Sequence, residues 1–130
     1  MSAVVDTNVL IRHVTRDPPD QAQRATRVLA SSEELILTDP VLAEFVFVLE
    51  SNYRYEREGI LVEALSLLSL PSIVAPNHEI LIRAVRLYGA TSLHFVDAYE
   101  VAFAELEEEG RLVSFDRDFD RVPTIERVEP

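Results

Sequence analysis

Short apolar runs alternate with longer stretches in which apolar residues recur at helical spacing. Runs rich in valine, leucine and isoleucine predict strands at Ser2–Asp6, Leu35–Thr38, Ile73–Ala75 and Leu112–Phe115, with a possible fifth at Thr124–Val128. The stretches between them predict helices at Asn8–Thr15, Gln21–Ala30, Pro40–Tyr53, Glu56–Leu70, Pro76–Tyr88 and Ser92–Glu109. Strands that alternate with helices predict an α/β domain with a mostly parallel central sheet of four to five strands.

Proline, glycine and aspartate mark the expected helix ends. Asp17 or its neighbour is expected to cap the second helix, and Asp39 to cap the third with Pro40 in its first turn. Gly89 is expected to stop the fifth helix, and Gly110 to close the sixth as its C-terminal cap.

Composition indicates an ordinary globular protein of 130 residues, and we expect a single domain over residues 1–130. No apolar stretch is long enough to cross a bilayer, and the N-terminus lacks the basic flank of a signal peptide. The absence of cysteine excludes a disulfide framework, a thiolate nucleophile and cysteine-ligated zinc. Residence in the cytoplasm is therefore expected.

The formal net charge of −11 is unusual for a protein that binds nucleic acid, because phosphate contacts normally need a basic surface. Divalent cations held by clustered carboxylates would reverse the sign locally. All twelve basic residues are arginine, which excludes lysine Schiff bases and the P-loop lysine. Arginine suits bidentate recognition of phosphate or carboxylate.

Four acidic residues lie in or just beyond apolar runs, where an unpaired carboxylate is unfavourable. Asp6 ends the first strand, Glu44 lies beside the apolar stripe of the third helix, Asp97 lies near the start of the sixth helix, and Asp116 follows the fourth strand. Taken singly, each is explained as a helix cap or a surface residue. Together they predict an oxygen-lined pocket for Mg²⁺ or Mn²⁺.

Neighbouring polar residues extend this candidate site. Thr7 and Asn8 offer a hydroxyl and an amide for holding a bound water or a phosphate, and Asp118 is an auxiliary acid. The alternation of Asp116, Asp118 and Asp120 is not a calcium loop, because the required glycine and glutamate are missing. His94 is assigned no role.

Other phosphate-handling sites fit the sequence poorly. A haloacid-dehalogenase phosphatase needs a second aspartate two residues after the first, where this chain has Asn8, and it also needs a lysine. The three glycines form neither a dinucleotide-binding loop nor a Walker A loop, and no nucleophile elbow is present.

The four acidic segments, in this order, resemble the PIN-domain ribonucleases, especially the VapC-type toxins of toxin–antitoxin pairs. The resemblance covers essentially the whole chain and rests on Val4–Leu10, Ala43–Val46, Phe95–Ala98 and Ser114–Phe119. It implies a three-layer α/β/α fold and a metal-binding catalytic quartet of Asp6, Glu44, Asp97 and Asp116. The chain departs from many relatives at His94, where they carry an acid.

The resemblance implies an endoribonuclease that uses Mg²⁺ or Mn²⁺ and leaves 5′-phosphate and 3′-hydroxyl ends. Thr7, Asn8 and Ser114 would orient water or phosphate. Arg12 and Arg16, one turn apart on the first helix, would either contact the RNA backbone or belong to a solvated helix face. It also implies a homodimer and a cognate VapB-like antitoxin that blocks the acidic site. The alternatives are a catalytically silent PIN-like domain that binds RNA or protein and, less favoured, a metal-dependent phosphatase.

Overall fold

A computed structural model describes residues 2–130, which cluster into two compact units. The N-terminal unit ends at His78 and the C-terminal unit is Glu79–Pro130. Each unit has its own parallel strands and its own cavities. No helix within residues 2–130 is both long and apolar enough to cross a membrane.

The N-terminal unit packs four helices with a three-stranded sheet. Its elements are β1 (Ser2–Val4), α1 (Thr7–Thr15), α2 (Pro19–Leu29), β2 (Glu34–Ile36), α3 (Asp39–Ser51), α4 (Arg57–Leu68) and β3 (Ile73–Val74). The strands pair in the order β1-β2-β3 and are parallel throughout, with Ala3 opposite Leu35 and Leu35 opposite Ile73. The core side chains are aliphatic or aromatic and include Leu10, Leu37, Leu42, Phe45, Leu49 and Ile60.

The C-terminal unit contains two helices and a two-stranded sheet. Its elements are α5 (His78–Ala90, beginning at the unit boundary), α6 (Phe95–Glu107), β4 (Arg111–Val113), a 3₁₀ helix (Arg117–Arg121) and β5 (Glu126–Val128). Strands β4 and β5 are parallel, with Leu112 opposite Arg127. Tyr88 and Phe95 pack edge to face with ring centres 6.1 Å apart, a preferred aromatic geometry.

The predicted α/β class with parallel strands is confirmed, and all five predicted strands are present. Hydrogen bonds divide these strands into a sheet of three and a sheet of two, where one central sheet was expected. The strands are only two or three residues long. An apolar run locates such a strand but does not specify its neighbour. The single domain over residues 1–130 stays a prediction.

Several predicted boundaries differ from the structure by a few residues. The N-cap of α3 is Thr38, and Asp39 is instead the first helical residue, where its charge suits the helix dipole. Helix α5 continues through Gly89 to Ala90. The small and β-branched residues of Ser2–Asp6 predict a buried strand, but all three residues of β1 are exposed, Val4 by 67%.

The turn after α6 depends on Gly110. The C-cap of α6 is Glu108 rather than Gly110, and the carbonyl of Ala104 accepts from Glu108 N at 2.9 Å and from Gly110 N at 2.8 Å. Gly110 has a φ of +80°, and a Cβ there would lie 2.3 Å from the carbonyl oxygen of Thr124. Glycine therefore permits both the left-handed turn and the close approach that leads into β4.

Candidate functional site

The N-terminal unit contains a cavity of about 390 Å³ at the start of α1. Two of the predicted metal ligands, Asp6 and Glu44, line it together, as do the predicted auxiliary residues Thr7 and Asn8. Its remaining lining residues are Ile11, Arg12, Val48, Asn52 and Tyr53. We call this space the acidic cavity.

Asp6 lies where the chain passes from β1 into α1, and it is the N-cap of that helix. Its backbone is extended, and its Oδ1 accepts a hydrogen bond from Thr7 N at 2.9 Å. This bond satisfies one of the amide groups that a helix leaves unpaired at its start. The capping role considered for Asp6 is therefore real, and the exposed carboxylate also faces the acidic cavity.

Thr7 places an unsatisfied hydroxyl at the same position. The residue is only 5% exposed, and its Oγ1 has no hydrogen-bond partner among the described residues. A buried hydroxyl without a partner is destabilising unless a water or a ligand satisfies it. The acidic cavity thus combines two carboxylates with a buried oxygen that has unused hydrogen-bonding capacity.

Glu44 projects from the flank of α3. The sequence predicts an inward stripe of Val41, Phe45, Val48 and Leu49. Phe45 and Leu49 are buried as expected, whereas Val41 and Val48 are only partly buried, and Leu42 and Val46 are buried in their place. Glu44 is therefore more exposed than expected, on the side of α3 where Val48 also lines the acidic cavity.

Arg12 brings a positive charge to the acidic cavity without neutralising it. Its Nε donates to Oε1 of Gln21, and its Nη1 donates to the carbonyl oxygen of Asn8 at 3.3 Å. Arg16, the other predicted RNA contact, is the C-cap of α1 with a φ of 60° and is not among the residues that line the cavity.

The C-terminal unit has a smaller cavity of about 170 Å³. Asp97 and the predicted auxiliary acid Asp118 line it together with His94, to which the sequence assigned no role. Its other lining residues are Thr91, Ser92, Leu93, Arg121 and Val122. Asp97 is the third residue of α6, so it lies within the first turn of the helix.

The electrostatics of Asp97 show that its carboxylate is unfavourably placed. Burial raises the pKa of Asp97 above its usual value, the charge of His94 opposes that shift, and the negative charges of Asp116 and Asp118 add to it. Glu100, one turn further along, also has a raised pKa because of burial and then because of Asp97. Bound positive charge would relieve this repulsion.

Asp116 and Ser114 organise the segment after β4. The backbone amide of Asp116 donates to Oγ of Ser114 at 2.9 Å, and Oδ1 of Asp116 accepts from the amide of Asp118 at 2.9 Å. Asp116 thereby caps the 3₁₀ helix, and Asp118 rather than Asp116 lines the cavity beside Asp97. Asp120 is paired with Arg127 at 2.8 Å.

Sequence reasoning missed Arg121 and Gln21. Arg121 lies three residues after Asp118, which is one turn of a 3₁₀ helix, so treating this segment as helical would have placed both on one face. Gln21 was assigned only to a helix, and no local pattern indicated its contact with Arg12.

The donor chemistry fits a hard divalent cation. Each cavity is lined by two carboxylates together with hydroxyl or amide groups, and Mg²⁺ and Mn²⁺ prefer such oxygen ligands. Within neither unit do three or more acidic or histidine side chains of residues 2–130 group closely enough to hold a metal by themselves. Mg²⁺ commonly keeps several waters and binds through one or two carboxylates, which suits this arrangement.

Comparison with known families gives one assignment. A family model described as PIN domain matches residues 3–125, which is nearly the whole chain. No curated protein matches the chain significantly.

Proposed function

The chain belongs to the PIN domain family, and we propose that it is a metal-dependent endoribonuclease that hydrolyses RNA phosphodiester bonds. PIN domains are generally nucleases. The observation that carries the proposal is the acidic cavity, where Asp6 and Glu44 lie together with the buried, unpartnered hydroxyl of Thr7. Carboxylates and a spare hydroxyl beside an open cavity suit hydrolysis of a phosphodiester better than they suit packing.

The proposed ligands of Mg²⁺ or Mn²⁺ are Asp6, Glu44, Asp97 and Asp116. Two observations support this choice. Asp6 and Glu44 line the same cavity. The pKa of Asp97 is raised by burial, a shift that the charge of His94 opposes and that the charges of Asp116 and Asp118 increase. When bound, a divalent cation would neutralise charge on the scissile phosphate and make a water molecule more acidic.

The remaining site residues would bind and orient the reactants. Thr7 and Asn8 would hold the attacking water or a phosphate oxygen from within the acidic cavity, and Ser114 and Asp118 would do so from the segment after β4. Arg12 and Arg16 would contact the RNA backbone. Arginine suits this role because its planar donors match phosphate oxygens.

The biological role that we propose is that of the toxin in a type II toxin–antitoxin pair. On this proposal residues 1–130 form a single nuclease domain, which acts in the cytoplasm as a homodimer and is inhibited by a VapB-like antitoxin. Arg12 at the acidic cavity is hydrogen-bonded to Gln21 and to the carbonyl oxygen of Asn8, so Asp6 and Glu44 would accept an arginine from such an inhibitor.

A second candidate is a PIN-like domain that binds RNA or protein without cutting. It is favoured by the absence, within each unit of the described chain, of a group of three metal-binding side chains. Isothermal titration distinguishes the two, because a silent domain would show no binding of Mn²⁺ at millimolar concentration.

The test of the nuclease is cleavage of an end-labelled RNA in the presence of Mg²⁺ or Mn²⁺. The wild-type protein should cut it and leave 5′-phosphate ends, and EDTA should abolish the cutting. Asp6→Asn is the informative variant, because asparagine caps a helix about as well as aspartate but carries no charge. Exposed Glu58, in the first turn of α4, provides the control variant Glu58→Gln. Cutting that survives EDTA, or an Asp6→Asn protein as active as Glu58→Gln, would refute the proposal.

A further inference from the structure

The first two helices form a basic surface on an acidic protein. The segment Thr7–Leu29 contains four arginines and two aspartates, a formal charge of +2, whereas the whole chain carries −11. A polyanion approaching this protein is repelled by most of its surface, so local positive charge decides where it binds.

A groove lies between α1 and α2 on this basic surface. It has a volume of about 370 Å³ and is lined by Asn8, Val9, Arg12, Gln21, Arg24, Ala25 and Val28. Two guanidinium groups therefore meet at a surface that also offers three small apolar side chains. The groove shares Asn8 and Arg12 with the acidic cavity, so the two spaces adjoin at these residues of α1.

The two arginines of the groove differ in how firmly they are held. Arg12 is oriented by Oε1 of Gln21 and by the carbonyl oxygen of Asn8. Arg24 pairs with Asp20 at 3.2 Å, but both side chains are largely exposed, 63% and 83%. Such an exposed pair contributes little stability, so Arg24 can exchange its aspartate for a phosphate at small cost.

We propose that the groove between α1 and α2 binds the RNA backbone next to the cleaved bond, with Arg12 and Arg24 contacting phosphates and Gln21 positioning Arg12. The inference rests on the proposed function, because it takes RNA as the substrate of the acidic cavity. The shared residues Asn8 and Arg12 favour a strand that passes from the scissile phosphate into the groove. Val9, Ala25 and Val28 provide an apolar floor against which a ribose or base can pack.

The test compares two charge-neutralising variants on the same helix. Arg24→Gln removes a groove residue, whereas Arg27→Gln removes the same charge from α2 at a position outside the groove. Binding of a labelled oligouridylate of about ten nucleotides is measured in EDTA, so that no cutting occurs, over a range of salt concentrations. The Arg24→Gln variant should bind the oligonucleotide at least about threefold more weakly than wild type. The magnitude of its slope of log K against log salt should fall by about 0.7, because one phosphate contact is lost. Arg27→Gln should keep the wild-type slope.

Gln21 is tested through its coupling to Arg12. Gln21→Ala should weaken binding in the wild-type background but should have no further effect in the Arg12→Gln background, because Gln21 acts only by orienting that arginine. Equal and additive effects in both backgrounds would overturn the positioning role.

Failure of the inference is distinguishable from failure of the proposed function. A wild-type protein that cuts RNA with Mn²⁺, together with Arg24→Gln and Arg27→Gln variants that have the same salt slope, would overturn the groove and leave the nuclease intact. A wild-type protein that neither binds nor cuts RNA would overturn both. If Arg24→Gln binds the oligonucleotide normally but loses affinity for polyglutamate, the groove binds an acidic protein instead, and the RNA proposal is wrong.

Discussion

Substitution of Gly110 by alanine tests the turn that connects α6 to β4 and to the segment that contains Asp116. A left-handed backbone costs a non-glycine residue roughly 1–2 kcal/mol. The added Cβ would also lie 2.3 Å from the carbonyl oxygen of Thr124, a backbone atom that cannot rotate away. The 2.8 Å hydrogen bond from Glu126 N to the carbonyl oxygen of Gly110 ties the same two segments together. Adding about 1–2 kcal/mol for overpacking, we expect Gly110→Ala to lower the free energy of unfolding by roughly 2–4 kcal/mol.

The control is Gly59→Ala. Gly59 lies in the first turn of α4, where a Cβ meets only the ring of Tyr55 at 4.0 Å. Alanine is favoured over glycine in helices, so this variant should be more stable than wild type, by about 0.5 kcal/mol. Urea unfolding followed by circular dichroism measures both variants. Equal stabilities for Gly110→Ala and wild type would refute the reasoning about the turn.

Two further predictions concern partly buried carboxylates in the C-terminal unit. Glu105 accepts from Nε of Arg83 at 2.8 Å and from Nη2 at 3.1 Å, so Glu105→Gln should reduce stability by about 1.5–3 kcal/mol at pH 7, measured by urea unfolding. Because the hydrogen bond from Arg83 lowers the pKa of Glu105, this difference should be present above about pH 4.5 and disappear as the pH falls further; a difference that grows in acid would contradict it. The pKa of Asp97 is shifted in the opposite direction. Burial raises it, the charge of His94 opposes the shift, and the charges of Asp116 and Asp118 add to it. The folded protein therefore holds the proton of Asp97 more tightly than the unfolded chain does. Asp97→Asn should therefore raise the Tm at neutral pH in EDTA, and this increase should shrink as the pH falls. Mn²⁺ should raise the Tm of wild type by more than it raises the Tm of the variant. A variant that is less stable than wild type in EDTA would contradict the prediction.

Local pattern was sufficient to predict the α-helices and strands of this fold, though not the 3₁₀ helix at Arg117–Arg121. The apolar stripe of α3 and the proline near its start predicted that helix, and alternation of strands and helices predicted the α/β class. Pairing was not predictable, because strands of two or three residues carry too little pattern to specify a neighbour. The exposure of Val4 was missed because an apolar run indicates a strand but not whether other elements cover it.

The candidate site was predictable only as a set of residue types. The chemistry of Asp6 and Glu44 indicated an oxygen-lined pocket, and both do line one cavity. Which side chains surround an acid depends on how the helices pack, so the contact of Gln21 with Arg12 could not be predicted from local pattern. Asp116 illustrates the same limit, because its carboxylate caps the next helical turn.

The measurement that tests the central claim most directly is a double-mutant cycle on RNA cleavage, using Asp6→Asn, Asp97→Asn and the combined variant with saturating Mn²⁺. If acids of both units serve one metal-dependent reaction, each single variant should lose at least about 100-fold in kcat/KM, since even outer-shell changes at metal sites cost 10–100-fold. The combined variant should then be little worse than either single one, because groups that act as a unit are strongly non-additive. Multiplicative losses in the combined variant, or wild-type cleavage by either single variant, would contradict the account.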